Sequence, residues 1–465
     1  MPATPRTPRL TGTPTASGSR FFPDFAALEH RLDSLDLFRM TPGTERVQSV
    51  LRRLRSAPPP YTAVQVAGTN GKGSTCVMLA RTAEEHGLTT GLHISPHFLS
   101  LRERLSINGT PLPEAAWIDA AERVMAAGGS DLSWFELVTC ISSEAFTAAG
   151  VDLAVMESGL GGRFDAVSAL KADMVLFTPI GMDHEAVLGP TLKEIAADKA
   201  GAVRPGKPVL SGRQNPEALD ELQRRATALN APFFLIDDSM PMPLNAVPAM
   251  PGKHQIANAR LALAAFRTLV RNKAFPPAIM ERLAGAPDSN AEARALARAR
   301  LPGRMQLIRP LPPTSLEPAE AALFPSGRPP LLLDGAHNPH GLAALGESLA
   351  ASGTAPAAVI FSCLHDKNPA DMLSLLRALA TGPIFIPPIA GNPRAADPRE
   401  LAALAGLNAC AAPSLAEALR RASNAVIERL PESPTGGAPA NPLLICGSLY
   451  LLAELYTLCP KYLTE

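Results

Sequence analysis

The stretch Gln65–Ala80, QVAGTNGKGSTCVMLA, decides how this chain is read. An apolar run breaks at Gly68, and the next residues, Thr69-Asn70-Gly71-Lys72-Gly73-Ser74-Thr75, crowd glycines, a lysine and hydroxyls together before a helical pattern resumes. Glycines at such a point let the backbone turn tightly and approach a ligand. A helix opening just behind them points unpaired N–H groups and its positive dipole end at an anion. Those are the properties of a phosphate cradle, in which Lys72 can reach outer phosphates and Ser74 or Thr75 can offer a hydroxyl to Mg²⁺. The general pattern G-x-x-x-x-G-K-[ST] wants the hydroxyl directly after the lysine, and here Gly73 intervenes. An ordinary glycine-rich strand-to-helix turn is the alternative.

Composition bounds the body that carries this loop. At 465 residues, against roughly 100–150 for a typical domain, two or three domains are expected. Lys+Arg and Asp+Glu balance at 43 each, so no net field argues for nucleic acid or an anionic membrane, and a small-molecule substrate is expected. Cys76, Cys140, Cys363, Cys410, Cys446 and Cys459 are scattered without C-x-x-C spacing and read as reduced core residues in a reducing, cytoplasmic compartment. The longest apolar candidate, Leu443–Leu455, is shorter than the roughly 18 residues a membrane span needs and contains Gly447 and Ser448. Residues 1–21 lack the apolar core of a secretory signal and, with several prolines, read as a disordered extension.

Short β-rich runs alternate with helical patterns, which predicts β-α-β units and parallel sheets. Expected strands are Ala63–Ala67, Gly91–Ile94, Asp152–Met156, Met174–Phe177, Pro208–Leu210 and Phe233–Ile236. Helices are expected at Lys72–His86, Ala115–Ala127, Phe135–Ala149, Leu192–Val203 and Pro216–Leu229, followed by a helical block from His254 to Ala299. The pattern breaks near Arg300–Gln306. A smaller half then repeats the alternation, with strands near Leu331–Leu333, Ala358–Phe361, Ile384–Ile386 and Leu443–Ile445 and proline-rich surface loops at Arg309–Pro330 and Pro431–Pro442. The expected division is 22–300 for the first domain and 301–465 for the second.

Ligands of open parallel sheets sit beyond the carboxyl ends of the strands, so chemistry is sought there. After Asp152–Met156 comes ESGLGGRFDA, with Glu157 at the strand tip followed by Arg163 and Asp165; after Met174–Phe177 comes TPIGMDH, with Asp183 and His184. After Gly91–Ile94 comes a loop holding Ser95, His97, Arg102, Glu103 and Arg104. In the second half LLLDGAHNP places Asp334 and His337 after another apolar strand, which predicts two domains facing each other across a cleft. Singly, Glu157 could cap a turn, His184 could be a turn histidine, Arg102-Glu103-Arg104 could be a solvated face, and Asp334 to Pro339 could be an Asx turn that caps a helix. Their recurrence at one kind of position favours a site.

The motifs GTNGKGS, SPH with ERLSING, ESGLGGRFDA, GMDH with DKAG, PGKHQIANA, LPGRMQ, DGAHNP and FSCLHDKN occur in the order seen in the folylpolyglutamate synthase and dihydrofolate synthase family, a branch of the Mur ligases, which this chain resembles from about Leu35 onward. The additional glycine after Lys72 is a feature of that branch. The resemblance implies an α/β, Mur-ligase-like fold: a P-loop ATPase domain with a parallel-rich sheet and a smaller Rossmann-like C-terminal domain. It implies a monomeric ATP-dependent carboxylate–amine ligase that phosphorylates a carboxylate and lets the amine of L-glutamate displace phosphate. The implied substrates are dihydropteroate and reduced folates. Thr69, Asn70, Gly71, Lys72, Gly73 and Ser74 would hold phosphates, with Asn258, Arg304 and Asp334 as further ATP contacts and His337 beside them. Ser74, Ser95, Glu157 and His184 would be Mg²⁺ ligands, with two ions and room for a monovalent cation. Lys199 in DKAG matches a lysine that the family carbamylates into a metal ligand; otherwise it is a surface helix lysine. Lys72, Lys199, Asp334 and His337 are the implied catalytic groups.

Leu32–Leu54 resembles the bacterial bifunctional form, whose pterin pocket also draws on a segment like Ser133-Trp134-Phe135-Glu136, and Arg163 joins the candidate substrate contacts. Trp134 and Phe135 could stack a flat pterin or serve as core. Polyglutamylation alone, a Mur-type ligase on another carboxylate, and a non-catalytic ATP-binding module are the rival readings. A ligase of UDP-linked peptides would be expected to carry an added domain ahead of Gly68, and a non-catalytic module to lack Glu157, His184 and Asp334.

Overall fold

The computed structural model describes residues 20–35, 43–54, 58–429 and 441–465. Residues 1–19 of the expected extension, 36–42 of the stretch resembling the bifunctional form, and most of Pro431–Pro442 lie outside the described residues. The chain divides into two compact units. The first takes the described residues up to Gly181, Ala186–Val247 and Asn258–Ala299; the second takes Met182–Glu185, Pro248–Ala257 and Arg300–Glu465.

The first unit is built on β1 (Thr62–Ala67), β2 (Thr90–His93), β3 (Leu105–Ile107), β4 (Thr110–Pro111), β5 (Leu153–Glu157), β6 (Met174–Phe177), β7 (Val209–Ser211) and β8 (Phe233–Leu235). They form one sheet in the order β4-β3-β2-β5-β1-β6-β7-β8. The run from β2 to β8 is parallel, and β3 and β4 are antiparallel additions at one edge. All six residues of β1 are buried, as a central parallel strand covered on both faces requires. Ala63 of β1 and Ala154 and Met156 of β5 share a core with Leu137, Ile141 and Phe146 of helix Trp134–Ala149 and Trp117 and Val124 of helix Glu114–Ala126.

The second unit holds β9 (Gln306–Ile308), β10 (Leu331–Leu333), β11 (Ala358–Phe361), β12 (Ile384–Ile386), β13 (Ala409–Ala411) and β14 (Leu443–Cys446), ordered β13-β12-β11-β14-β10-β9. Only the edge strand β9 runs antiparallel. Val359, Phe361, Leu444 and Cys446 face Leu345, Leu349, Leu373 and Leu376 of the helices Pro339–Ser352 and Pro369–Leu379 in one core.

Expected strands and helices recur with shifts of up to three residues at their ends. Three features differ. The helical block His254–Ala299 is three helices, Lys253–Arg271, Pro277–Arg282 and Ser289–Arg298, because Pro276, Pro277 and Pro287 cannot continue a helix from the preceding turn. The short strands β3, β4, β9 and β13 were not anticipated. For β3 and β4 the signal was present: Asn108 (φ 48) and Gly109 (φ 68) make a two-residue hairpin turn, the chemistry an Asn-Gly pair supplies. Finally, Asp183, His184 and the Pro251–Ala257 segment, expected in the first domain, pack with the second unit.

All six cysteines are free, and all but Cys410 are buried. Among the described residues no helix is long and apolar enough to cross a membrane.

Candidate active site

In the first unit the candidate groups gather at the carboxyl ends of adjacent strands. Beyond β1, Gly68 stands at φ 141, and a Cβ there would lie 2.0 Å from Thr178 Oγ1 and 2.8 Å from the Thr178 carbonyl oxygen. Only glycine fits that approach. Thr69 then anchors the loop to the segment after β6: its N–H donates to the Pro179 carbonyl at 3.0 Å, and its hydroxyl exchanges hydrogen bonds of 3.1 Å with the Gly181 carbonyl and N–H. Gly71, at φ 89, precedes helix Lys72–Glu85 without any side-chain cap, leaving that helix's first N–H groups open to an anion. A Cβ on Gly71 would fall 2.5 Å from Asn258 Oδ1, so Asn258 closes over the loop. Lys72 is half-buried and folds back, its Nζ donating to the Thr69 carbonyl at 3.0 Å.

Ser74 and Thr75 are fully buried, and neither hydroxyl has a hydrogen-bond partner among the described residues. Buried hydroxyls are nearly always satisfied, so two orphaned ones in the first turn of a helix behind a glycine-rich loop leave unused hydrogen-bonding capacity beside that loop. Glu157 ends β5 next to Val66 of β1 in the sheet register, is 3% exposed, and accepts from the Ser95 N–H at 2.8 Å. Ser95 and Glu157 are thus brought together. Among the described residues no group of three or more His, Cys, Asp or Glu forms a metal cage. A hydroxyl and one carboxylate suit Mg²⁺, which keeps waters and substrate phosphates as its other ligands.

Lys199 is not a surface residue. It is 4% exposed, and its Nζ donates to the Gly68 carbonyl at 2.9 Å. The ESGLGGRFDA loop holds its backbone: a Cβ on Gly162 would lie 2.3 Å from the Lys199 carbonyl oxygen, and the Gly162 N–H donates to Asp198 Oδ1 at 3.0 Å. Asp165 organises the same loop by accepting from the N–H groups of Leu160 and Val167, each at 3.0 Å. Burial pushes its carboxyl up to about 7, against those backbone donors and the charge of Lys199. Arg163 is exposed, its guanidinium 5.0 Å over the Phe164 ring.

The loop after β2 is braced by its own side chains. Glu103 accepts from the N–H groups of Phe98, Leu99 and Ser100 at 2.7, 2.8 and 2.8 Å. Arg104, 5% exposed, donates to His97 Nδ1 at 2.7 Å and lies 4.4 Å over the Trp134 ring. Burial and the neighbouring Arg104 depress His97 to about 4. Trp134 is therefore buried beneath a cation, while Phe135, half-buried, meets His93 edge to face at 5.6 Å. Glu136 accepts from the Ser133 N–H at 2.8 Å as a helix cap and pairs with Arg46 at 2.7 Å.

The second unit gathers its own polar centre. Asp183, nearly buried, pairs with Lys367 and accepts from Asn338 Nδ2 at 3.0 Å and the His184 N–H at 2.8 Å, with His337 Nε2 at 3.7 Å. Burial would raise its carboxyl, but His337, His184 and Lys367 outweigh it and hold Asp183 well below the usual carboxylate range. His184 is exposed and adopts φ 54, a conformation that few non-glycine residues take up. Asp334 accepts from the Met305 N–H at 2.8 Å and the Ala336 N–H at 2.9 Å, and Arg304 Nη1 reaches the Gly303 carbonyl at 3.0 Å. GMDH, LPGRMQ, DGAHNP and FSCLHDKN therefore converge. Lys367, quoted within FSCLHDKN, carried no expected role; its partner Asp183 lies 184 residues away, beyond any local signal.

Residues 324–429 match the family described as Mur ligase, glutamate ligase domain. The dihydrofolate synthase/folylpolyglutamate synthase of Bacillus subtilis is 30% identical over 375 residues, covering 74% of this chain and 80% of that protein. A Mycobacterium tuberculosis folylpolyglutamate synthase solved with ADP and AMPPCP superposes with a TM-score of 0.76 at 26% identity, over 93% of this chain and 98% of that one. A Yersinia pestis bifunctional folylpolyglutamate synthase/dihydrofolate synthase solved with AMPPNP and a Mn ion gives 0.74 at 28% identity, over 95% and 99%. With its loop order, its two α/β units and these likenesses in hand, the chain belongs to the dihydrofolate synthase/folylpolyglutamate synthase family of Mur ligases.

Proposed function

We propose that this chain is an ATP-dependent ligase that adds L-glutamate to dihydropteroate, forming dihydrofolate, and to the γ-carboxylate of reduced folates. The substrate carboxylate attacks the γ-phosphorus of ATP, ADP leaves, and an acyl phosphate forms. The glutamate amine then adds to the acyl carbon, a tetrahedral intermediate collapses, and inorganic phosphate departs as the amide appears. A free carboxylate is a poor electrophile, so the first step supplies the leaving group that the second needs. The observation that carries this reading is the buried, unpartnered Ser74 hydroxyl in the first turn of an uncapped helix, which follows the strand next to the one that ends in Glu157.

The chain's own groups divide the work. The N–H groups after Gly71 and the Lys72 ammonium bind and orient the transferred phosphoryl group. Ser74, Ser95 and Glu157, with Lys199 as its carbamate, would hold Mg²⁺ in the first unit, and the family resemblance adds His184 and a second ion. Mg²⁺, when bound, neutralises charge on the phosphoryl oxygens. Asn258, Arg304 and Asp334 hold the nucleotide, with His337 beside them, and Ser133, Trp134, Phe135, Glu136 and Arg163 contribute to the pterin side. The six free cysteines support a reducing, cytoplasmic setting, where the enzyme acts as a monomer.

ADP release by the purified chain should depend on glutamate and appear with both dihydropteroate and a reduced folate, and not with UDP-linked muramyl peptides. Release with the folate alone would leave the ligase and remove the dihydropteroate activity. Release with neither would sink the reading. Glu157→Gln removes a charge at the metal and leaves the pterin contacts alone. The Mg²⁺ concentration for half-maximal rate should therefore rise roughly tenfold or more while the KM for dihydropteroate stays within about twofold. An unchanged Mg²⁺ titration would take Glu157 out of the metal site.

A further inference from the structure

The turn that carries Arg304 is held from behind by one side-chain amide. Gln306 opens β9, and its Cα pairs with Leu333, the residue before Asp334. Its Oε1 accepts from the Gly303 N–H at 3.0 Å and from the Tyr456 hydroxyl at 2.7 Å, while its Nε2 donates to the Tyr462 carbonyl. A backbone N–H only donates and a carbonyl only accepts, so these partners fix which end of the amide faces which way.

Each end of that amide leads somewhere definite. On one side, the Gly303 carbonyl accepts from Arg304 Nη1 and, at 2.8 Å, from the Gly335 N–H; Met305, at φ 47, donates its N–H to Asp334. On the other side, Tyr456 and Tyr462 are fully buried. The segment of Tyr462 is clamped in turn: Arg328 bridges Glu320 at 2.5 Å and Glu465 at 3.0 Å, Lys461 reaches Glu320 at 2.7 Å, and the Tyr462 hydroxyl donates to Glu320. The helix Leu449–Leu458 and the turn Pro460–Leu463 are thus a fixed wall, and Gln306 is the link from that wall to the Gly303–Met305 turn.

We propose that Gln306 is a positioning residue for the nucleotide: through the Gly303 N–H it sets where the Arg304 guanidinium stands. This rests on the reading above that Arg304 contacts ATP. Gly335 and Asp334 hold the turn from the front, and without Gln306 the Gly303 N–H behind it would lose its acceptor, leaving a long, half-buried arginine to sample more rotamers, which costs affinity when it must be ordered on binding. The half of the amide that faces Gly303 serves the nucleotide, and the half that faces Tyr462 serves stability.

The test is calorimetric titration of AMPPNP with Mg²⁺ into the full chain, with steady-state KM values for ATP, dihydropteroate and glutamate. Gln306→Leu should weaken AMPPNP roughly tenfold, whereas Gln306→Glu, whose carboxylate still accepts from Gly303 and Tyr456, should stay within roughly threefold although it melts earlier. Tyr456→Phe keeps the packing, loses one hydrogen bond and should weaken AMPPNP roughly threefold, which serves where Gln306→Leu does not fold. The KM values for dihydropteroate and glutamate should not move. Equal losses in the leucine and glutamate variants, or parental affinity in both Gln306→Leu and Tyr456→Phe while Arg304→Ala binds poorly, would overturn the positioning role alone. Parental affinity in Arg304→Ala would instead remove the nucleotide contact on which it rests.

Discussion

Lys72→Ala should lower kcat by about a thousandfold while the melting temperature stays within about 3 °C of the parent. Lys72 is the first residue of its helix, is half-buried, and donates to the carbonyl of Thr69 within its own loop. Removing it leaves no buried charge behind, and alanine is a good helix former at that position. In the proposed reading, what is lost is a compact cation on the transferred phosphoryl group, where charge develops in the transition state and little can replace it. Stopped-flow or coupled-assay turnover set beside circular dichroism separates the two effects. A folded variant that keeps more than about a tenth of parental kcat would take the phosphoryl contact away from this loop.

Lys199→Ala should be nearly as damaging, with kcat down by about a hundredfold or more. The side chain is buried with its Nζ on the Gly68 carbonyl, and Gly162 presses on its backbone, so it stands directly under the phosphate loop. If the neutral amine has captured CO₂, forming an N–C bond with loss of a proton, the deleted group is an anion. A small acid such as formate in the assay should then restore roughly tenfold of the lost rate, because it can occupy the vacated place. Lys199→Arg should not be rescued, since its guanidinium fills the space and cannot be carbamylated. Formate without effect on an inactive alanine variant would leave Lys199 as an ammonium that holds the Gly68 carbonyl. A fully active alanine variant would remove it from the site.

The parts of this enzyme that were legible in sequence are those whose physics is local. The glycine-rich break after β1, Glu157 at a strand tip and Asn338 capping the helix at Pro339 are set by residues a few positions apart. So are the alternation of buried strands with amphipathic helices and the Asn108-Gly109 turn that could have revealed β3 and β4. The solvated-face reading of Arg102-Glu103-Arg104 holds for the partly exposed Arg102 and fails at Arg104 for a nonlocal reason, its stack on Trp134, while Glu103 caps the loop before it through local backbone bonds. The same contact places the Trp134 ring under Arg104 in the first unit, and composition could not have decided that.

By itself, then, the order of residues determined which loops carry chemistry, because a phosphate cradle needs glycine, lysine and hydroxyl side by side, and because the family motifs occur as contiguous words. Only the tertiary structure decided which of those words meet. The sheet order β2-β5-β1-β6 interleaves strands distant in sequence, so Ser95 reaches Glu157 across 62 residues and Lys199 reaches Gly68 across 131. Asp183 follows a strand of the first unit yet finds Lys367 and Asn338 in the second, because a buried carboxylate is stable only where cations and N–H donors surround it. Side-chain pairing of that kind depends on strand order and burial, which no window of neighbouring residues contains.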